Sequence, residues 1–425
     1  MSQPTISIAN NILRKCVHCG FCTATCPTYV LLGDERDSPR GRIYMIKEML
    51  ESAKPAPASV VKHIDRCLSC LSCSSSCPSG VDYMHLIDHA RVYVEKTYSR
   101  RLGDRLLRML LAFVLPSPEI FRLSLIVAKL AQPLKKLMPG RLKGIIAMAP
   151  DKTSSQSSYD VPQVFKAIGK QRMRVALMTG CAQKVLRPSI NEATVRLLTR
   201  HGCEVVVAAN ASCCGALVHH LGKESAALEA ARNNVAAWMV EVEGDGLDAI
   251  VSNTSGCGTT LKDYGFMLQG DGDWAEKAAK IASLCKDVSE IISLLNLGDI
   301  KVRDQPVIVY HSACSMQHGQ KLHDEPRELL KSAGFDVRDP VEGHLCCGSA
   351  GTYNLLQPAI SERLKTRKVK NLEAQNADII ATGNIGCMVQ ISGVTKVPVI
   401  HTVELLDWAT GGPAPDDFIH LTKST

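Results

Sequence analysis

Two runs of four cysteines constrain this chain more than anything else in it. Cys16, Cys19, Cys22 and Cys26 follow the order C-x2-C-x2-C-x3-C with Pro27 next, and Cys67, Cys70, Cys73 and Cys77 repeat that order with Pro78 next. The spacing is that of paired [4Fe-4S] clusters, each held by three thiolates of one run and the fourth of the other. Cys16, Cys19, Cys22 and Cys77 then form one site, and Cys67, Cys70, Cys73 and Cys26 the other. Such an exchange ties together segments with 40 residues between Cys26 and Cys67. Structural zinc takes one C-x2-4-C pair from each of two segments and has no use for a third step or a Cys-Pro. A disulfide framework suits small secreted domains, whereas this chain has 425 residues and begins MSQPTISIANNILRK, with no apolar signal-peptide core. A reducing compartment is expected.

A chain of this length makes two or three domains with substantial cores. Its 45% hydrophobic and 21% charged residues are ordinary for a folded protein, and no uninterrupted apolar stretch is long enough to predict a transmembrane helix. Between the cysteine runs, Ile43, Ile46, Met49 and Leu50 recur at helical spacing, which predicts a helix over 41–52 ended by Pro55 and Pro57. Residues 83–96 read as a second helix. From Arg100 to Lys143 ten basic residues stand against Asp104 and Glu119, interleaved with LLRMLLAFVL and FRLSLIVAKL and broken by Pro116, Pro118, Pro133 and Pro139. Basic amphipathic helices of this kind lie on an anionic membrane, dock on a partner or pack on their own protein. The Ser-rich stretch DKTSSQSSYD over 151–160 marks a flexible boundary.

The rest of the chain repeats itself. MRVALMTGC ending at Cys181 matches PVIVYHSAC ending at Cys314, ASCCGAL at Cys213 and Cys214 matches HLCCGSA at Cys346 and Cys347, and IVSNTSGC at Cys257 matches IIATGNIGC at Cys387. The first two pairs share an offset of 133 and the third differs by three. Strand followed by helix is predicted at 174–178 then 190–200, and at 308–310 then 325–332, which indicates α/β layers with a parallel sheet. The cysteines fall at predicted strand ends, where open α/β sheets bind ligands. Their flanking glycines, among them Gly215 and Gly348, let backbone approach a cofactor and donate amides to sulfur. Cys203 and Cys285 have no repeat counterpart and read as small buried hydrophobes.

With CVHCGFCTATCPTYVLLGDE, SPRGRIYMIKEML and the C…CCG…C halves in this order, the chain resembles the glycolate oxidase iron-sulfur subunit family, and its halves resemble the CCG domains of heterodisulfide reductases. The resemblance implies a multidomain chain. An all-α ferredoxin-like domain over 1–98 precedes a basic helical segment and linker over 99–160, and a duplicated α/β cysteine-rich domain occupies 161–300 and 301–425. One or both of the quartets Cys181, Cys213, Cys214, Cys257 and Cys314, Cys346, Cys347, Cys387 would hold a further cluster, giving three or four in all against a minimum of two, the alternative being a cysteine shell that has lost its cluster. A full CCG motif ends in C-x-x-C, but Thr254 and Asn384 stand at the first of those positions, which counts against the five-cysteine noncubane cluster and its disulfide chemistry.

No G-x-G-x-x-G follows a predicted strand and no P-loop is present, so neither flavin nor nicotinamide is expected on this chain. Removing a hydride equivalent from a 2-hydroxy acid needs such a carrier. By resemblance FAD sits on partner subunits that oxidise glycolate, and this chain passes electrons to an acceptor such as membrane quinone, without acting on glycolate itself. The expected place is the cytoplasm, peripheral on the inner membrane's cytoplasmic face. Subunits of lactate or anaerobic glycerol-3-phosphate dehydrogenases, a thiol-disulfide reductase and a cluster-bearing sensor are the alternatives. Nucleic-acid binding is not expected, because aromatic residues are only 4% and the basic segment is apolar rather than interleaved with stacking rings. His18, His219, His220, His311, His318 and His344 lie near the motifs and read as packing or surface residues. Arg40 and Arg42 read as ordinary surface ion pairs.

Overall fold

A computed structural model describes residues 3–133, 154–301 and 306–418. Lys135, Lys136, Pro139, Arg141 and Lys143 of the basic segment, and the first residues of the Ser-rich boundary, lie outside the described residues.

Before residue 158 the described chain forms helices and turns. The helix expected over 41–52 begins two residues earlier and spans Pro39–Ser52. Ser38 caps it, its hydroxyl accepting from the Gly41 amide at 3.0 Å, and Pro39 supplies a preset φ at the first helical position. Ile43, Ile46, Met49 and Leu50 turn inward against Leu86, Ile87 and Ala90 of the helix Tyr83–Thr97 and Ile64 of the helix Ala58–Asp65. The cysteine runs occupy the loops between these helices.

The repeat folds into two sheets. The first holds β1 (Gln163–Phe165), β2 (Met173–Met178), β3 (Cys203–Val207), β4 (Ala249–Ser252) and β5 (Cys285–Asp287) in the order β1-β3-β2-β4-β5. The second holds β6 (Ile308–Tyr310), β7 (Val337–Arg338), β8 (Ile379–Thr382) and β9 (Val399–His401) in the order β7-β6-β8-β9. All pairings are parallel except that of β1 with β3. The shared order makes the halves structural copies, with β1 an antiparallel addition. Continuous burial along β2, β3, β4, β6 and β8 explains their unbroken apolar runs, since parallel sheets are covered on both faces. The three-residue change of offset falls between the cysteine pair and the fourth cysteine, where the helix Glu224–Glu243 is longer than its counterpart Pro358–Glu373.

The two sheets share one core through helix packing. The helix Ser189–Arg200 lies on Thr402–Ala409, and Val288–Leu295 lies on Glu325–Ser332. Leu197, Leu198, Ile291 and Ile292 thereby meet Leu405, Leu406, Leu329 and Leu330. The helix after β2 packs on the helix after β9, and the helix after β5 on the helix after β6, which is the reciprocal arrangement of a two-fold dimer interface. Asp407, buried on this face, receives Arg196 at 2.7 Å and Arg200 at 3.0 Å.

The N-terminal helices grip the first repeat through His85. Its Nδ1 pairs with Asp82 and its Nε2 with Asp263 of the first repeat at 2.8 Å, and the ring stacks on Phe266. Burial works against the charged ring, but the two carboxylates outweigh it and raise its pKa to about 9. The folded value lies above the unfolded one, so this contribution is full below about pH 6.5. It fades as pH rises through about 9. Between pH 6.5 and 9.5 the thermal midpoint should therefore fall more in the parent than in His85→Gln. Equal slopes for the two proteins would show that the triad carries no charge-linked stability.

Candidate metal centres

The first cysteine run lies at the surface. Cys16, Cys19 and Cys22, together with Cys73 and Cys77 of the second run, line an open-sided cavity completed by Pro39, Ile43, Val81 and Tyr83. Cys19 is exposed, and beside it Val17 and Phe21 present large apolar side chains to solvent. The Val81 amide approaches Cys77 Sγ at 3.5 Å. Burial lifts the Cys22 thiol to about 11, so it needs a cation to hold it as thiolate. Soft sulfur donors gathered from both runs around one open-sided cavity suit an iron-sulfur cluster.

The second run is deeper. Cys26, Cys67, Cys70 and Cys73 are all buried, and the first three lie near enough to Cys73 to oppose its ionisation beyond the effect of burial. Cys67 Sγ faces the Ser69 amide at 3.5 Å and the Tyr83 hydroxyl at 3.8 Å. Behind Cys26 stands Arg42, 1% exposed. Its guanidinium donates to the His63 carbonyl at 2.8 Å, to Thr28 Oγ1 at 3.0 Å and to Asp37 at 3.3 Å, and reaches Cys26 Sγ at 3.8 Å. Asp37, wholly buried, also takes His63 at 2.8 Å and Arg66 at 2.7 Å. Arg42 is therefore no surface ion pair. Arg40 is one, meeting Glu35 at 2.6 Å on an exposed rim.

In each repeat the four cysteines converge beyond the carboxyl ends of three strands. Cys181 follows β2, Cys213 and Cys214 follow β3, and Cys257 is the third residue of the helix after β4. Cys314, Cys346, Cys347 and Cys387 sit equivalently after β6, β7 and β8. Gly215 and Gly348 follow the paired cysteines with φ of 84° and 88°, and their amides reach Cys213 Sγ at 3.5 Å and Cys346 Sγ at 3.4 Å. A Cβ at Gly348 would also meet the Ser361 carbonyl oxygen at 2.7 Å, and one at Gly215 would press on the Ala227 carbonyl oxygen at 3.2 Å, so the positive φ favours glycine at both and space requires it at Gly348. Cys314 and Cys346 lie 3.8 Å apart and Cys347 and Cys387 3.4 Å apart, close without being bonded, and all 18 cysteines of the chain are free. Hydrogen bonds from neighbouring thiols pull Cys213 down to about 4 and Cys347 well below the usual thiol range.

The positions that lack the motif's further cysteine do different things. Thr254 turns to Gln183, whereas the Asn384 amide donates to Cys387 Sγ at 3.3 Å. Cys203 and Cys285 begin β3 and β5 inside the core, at the strand ends remote from the quartets. His18 is exposed, but His311 and His318 are buried and not the surface residues expected, because β6 and the turn after it lie under the second quartet. The sequence reading also missed Lys368. It is 2% exposed on the helix Pro358–Glu373, and its Nζ donates to the Glu342 carbonyl at 2.8 Å beside the thiols of the second quartet. Arg42 and Lys368 shared one detectable signal, a cation on the apolar stripe of a helix, in step with Ile46 and Leu364.

Arg42→Gln should cost about 3–5 kcal/mol in urea denaturation, since it removes one partner of a buried ion pair. Arg40→Gln should unfold like the parent. A mild Arg42→Gln phenotype would show that His63 and Arg66 alone satisfy Asp37.

The description "4Fe-4S dicluster domain" matches residues 12–81, and "Cysteine-rich domain" (CCG) matches 175–262 and 308–392. The chain is 39% identical to the glycolate oxidase iron-sulfur subunit of Escherichia coli over 94% of this chain and 95% of that protein. It is 32% identical to a probable glycolate oxidase iron-sulfur subunit of Bacillus subtilis over 94% of each. Lactate utilization protein A of Geobacillus is 28% identical over 55% of this chain and 99% of its own length. A hypothetical protein from Helicobacter pylori aligns over 78% of each chain with a TM-score of 0.42 and 11% identity, too weak a likeness to carry an argument. A dicluster domain ahead of two cysteine-rich repeats, matched nearly end to end, makes this chain a member of the glycolate oxidase iron-sulfur subunit family.

Proposed function

We propose that this chain is the electron-carrying subunit of a flavin-linked glycolate dehydrogenase, moving electrons from FAD on partner subunits to an acceptor such as membrane quinone. The observation that carries the reading is the adjacency of the thiol groups. Cys70 shares an apolar cluster with Cys346, flanked by Cys314, Leu68, Tyr353 and Leu364, so the buried second run abuts the second repeat's quartet. Thiol sites thus run from the exposed rim at Cys19 into the interior. Cys16, Cys19, Cys22 and Cys77 hold one [4Fe-4S] cluster, Cys67, Cys70, Cys73 and Cys26 another, and the quartets Cys181, Cys213, Cys214, Cys257 and Cys314, Cys346, Cys347, Cys387 one each. Clusters held on these thiolates supply one-electron storage at potentials set by burial, charge and hydrogen bonds. The chain's own residues arrange that environment: Arg42 and Tyr83 donate toward sulfur, and Lys368 places positive charge beside the second quartet.

The helical N-terminal domain is read as an all-α ferredoxin module that meets its flavin partner at Val17 and Phe21. Glycolate is favoured over lactate because the glycolate oxidase relatives match nearly the whole chain and the lactate utilization relatives about half of it.

The helices Leu102–Val114 and Pro118–Leu130 support a peripheral contact with the cytoplasmic face of the membrane. Leu102, Leu106, Leu110 and Phe113 on one, and Leu123, Val127 and Leu130 on the other, are exposed, with Arg101 and Arg105 beside them. Among the described residues no helix is long and apolar enough to cross a membrane.

In the complex with its flavin partner, Cys16→Ser should leave reduction of the flavin by glycolate intact and abolish delivery to a quinone analogue. Undiminished delivery would sink the relay. Iron analysis of the parent should give about sixteen irons per chain, against about twelve if one quartet is empty and about eight if both are. The double variant Leu106→Glu, Phe113→Glu should no longer float with anionic vesicles, and flotation equal to the parent would move the contact elsewhere.

A further inference from the structure

His311 follows β6 directly and is 1% exposed, and no nitrogen or oxygen atom among the described residues partners its ring nitrogens; the group within reach is the Cys347 sulfur. An imidazole nitrogen with no partner is unfavourable in a dry interior unless something else completes it. What surrounds it is sulfur: a ring nitrogen of His311 and the sulfur atoms of Cys347 and Cys387 all lie within 4.8 Å of one another, and all three side chains are buried. No cysteine triple, in either run or either quartet, stands so close among the described residues. Aligning the repeats on Cys181 and Cys314 puts Met178 in the place of His311. The halves copy each other in strands, glycines and cysteines, but only the second brings an imidazole to its thiols.

We infer that His311 is a nitrogen ligand of the iron centre in the second repeat, which thus has a mixed donor set of Cys314, Cys346, Cys347, Cys387 and His311, while the first repeat's centre is bound by sulfur alone. The inference rests on the proposal that the quartets hold clusters. Imidazole and thiolate are both good donors to iron, and a neutral nitrogen adds a bond without adding negative charge. All four thiolates remain, so the imidazole leaves the charge of the centre unchanged, and it is Lys368, present only in the second repeat and set beside its thiols, that raises the potential there. The second centre is then the more easily reduced of the two, and it is the one that abuts Cys70.

The test is pulsed EPR on the anaerobically reduced full chain, prepared with natural-abundance or 15N-labelled histidine. A histidine-nitrogen modulation that changes with the label, and that is lost in both Cys387→Ser and His311→Met, is the expected result. His311→Cys keeps a ligand and should retain the parent's iron content while losing the modulation, which guards against a misfolded methionine variant. Additional signals beyond the two N-terminal clusters, with no histidine nitrogen in them, would overturn the role of His311 and leave clusters in the quartets standing. About eight irons per chain would overturn both.

Discussion

Asp37 is the point on which the N-terminal architecture rests. A carboxylate taken wholly out of water is tolerated only when paired and hydrogen-bonded. Here Arg42 reaches it from the helix Pro39–Ser52, His63 from Ala58–Asp65, and Arg66 from the turn that leads into the second cysteine run. One side chain thereby fixes the distance between the loop that carries Cys26 and the loop that carries Cys67. The hold extends outward, because the Arg66 carbonyl accepts from Tyr353 of the second repeat at 3.0 Å. The placement of Cys70 against Cys346 follows from that chain of contacts.

Much of this architecture is readable from the residues alone, and the reasons differ by element. β6 and the helix Glu325–Ser332 appear with the bounds expected, since a short apolar run and a helical stripe bounded by polar residues carry their own local signal. The relation of the halves is legible because strand, cysteine pair, strand and cysteine recur in register. Arg42 and His311 were misjudged for different reasons. His311 is buried by Cys347 and Cys387, distant in sequence and announced by no local pattern, whereas Arg42 stands on the apolar stripe of its helix with Asp37 five residues away, and His63 is the more remote of these two partners. The packing of Ser189–Arg200 on Thr402–Ala409 is invisible for the same reason as the burial of His311, although each helix carries an apolar face that had to be covered.

The N-terminal helices contact the two repeats differently. The first repeat is clamped through charge, by His85 with Asp263 and by Lys96 with Glu224 at 2.7 Å. The second repeat is met through an apolar cluster containing Cys70 and Cys346, assisted by Ser75 with His318 and by Arg363 with the Leu31 carbonyl. Dry, closely packed contact between thiol sites favours electron exchange, while a charged seam serves mainly to orient. Position in the assembly gives otherwise similar halves unequal surroundings.

The reciprocal helix packing between the repeats explains how that inequality could be encoded at all. In a dimer of identical subunits, every substitution is made twice, and both sites change together. Here the same two-fold interface is built within one polypeptide, so the symmetry binds the backbone and the shared core but not the side chains at the two ends. A histidine or a lysine introduced beside one set of thiols leaves the other untouched. Two copies joined in one chain can therefore carry different side chains at their two sites while keeping the mutual burial of a single core.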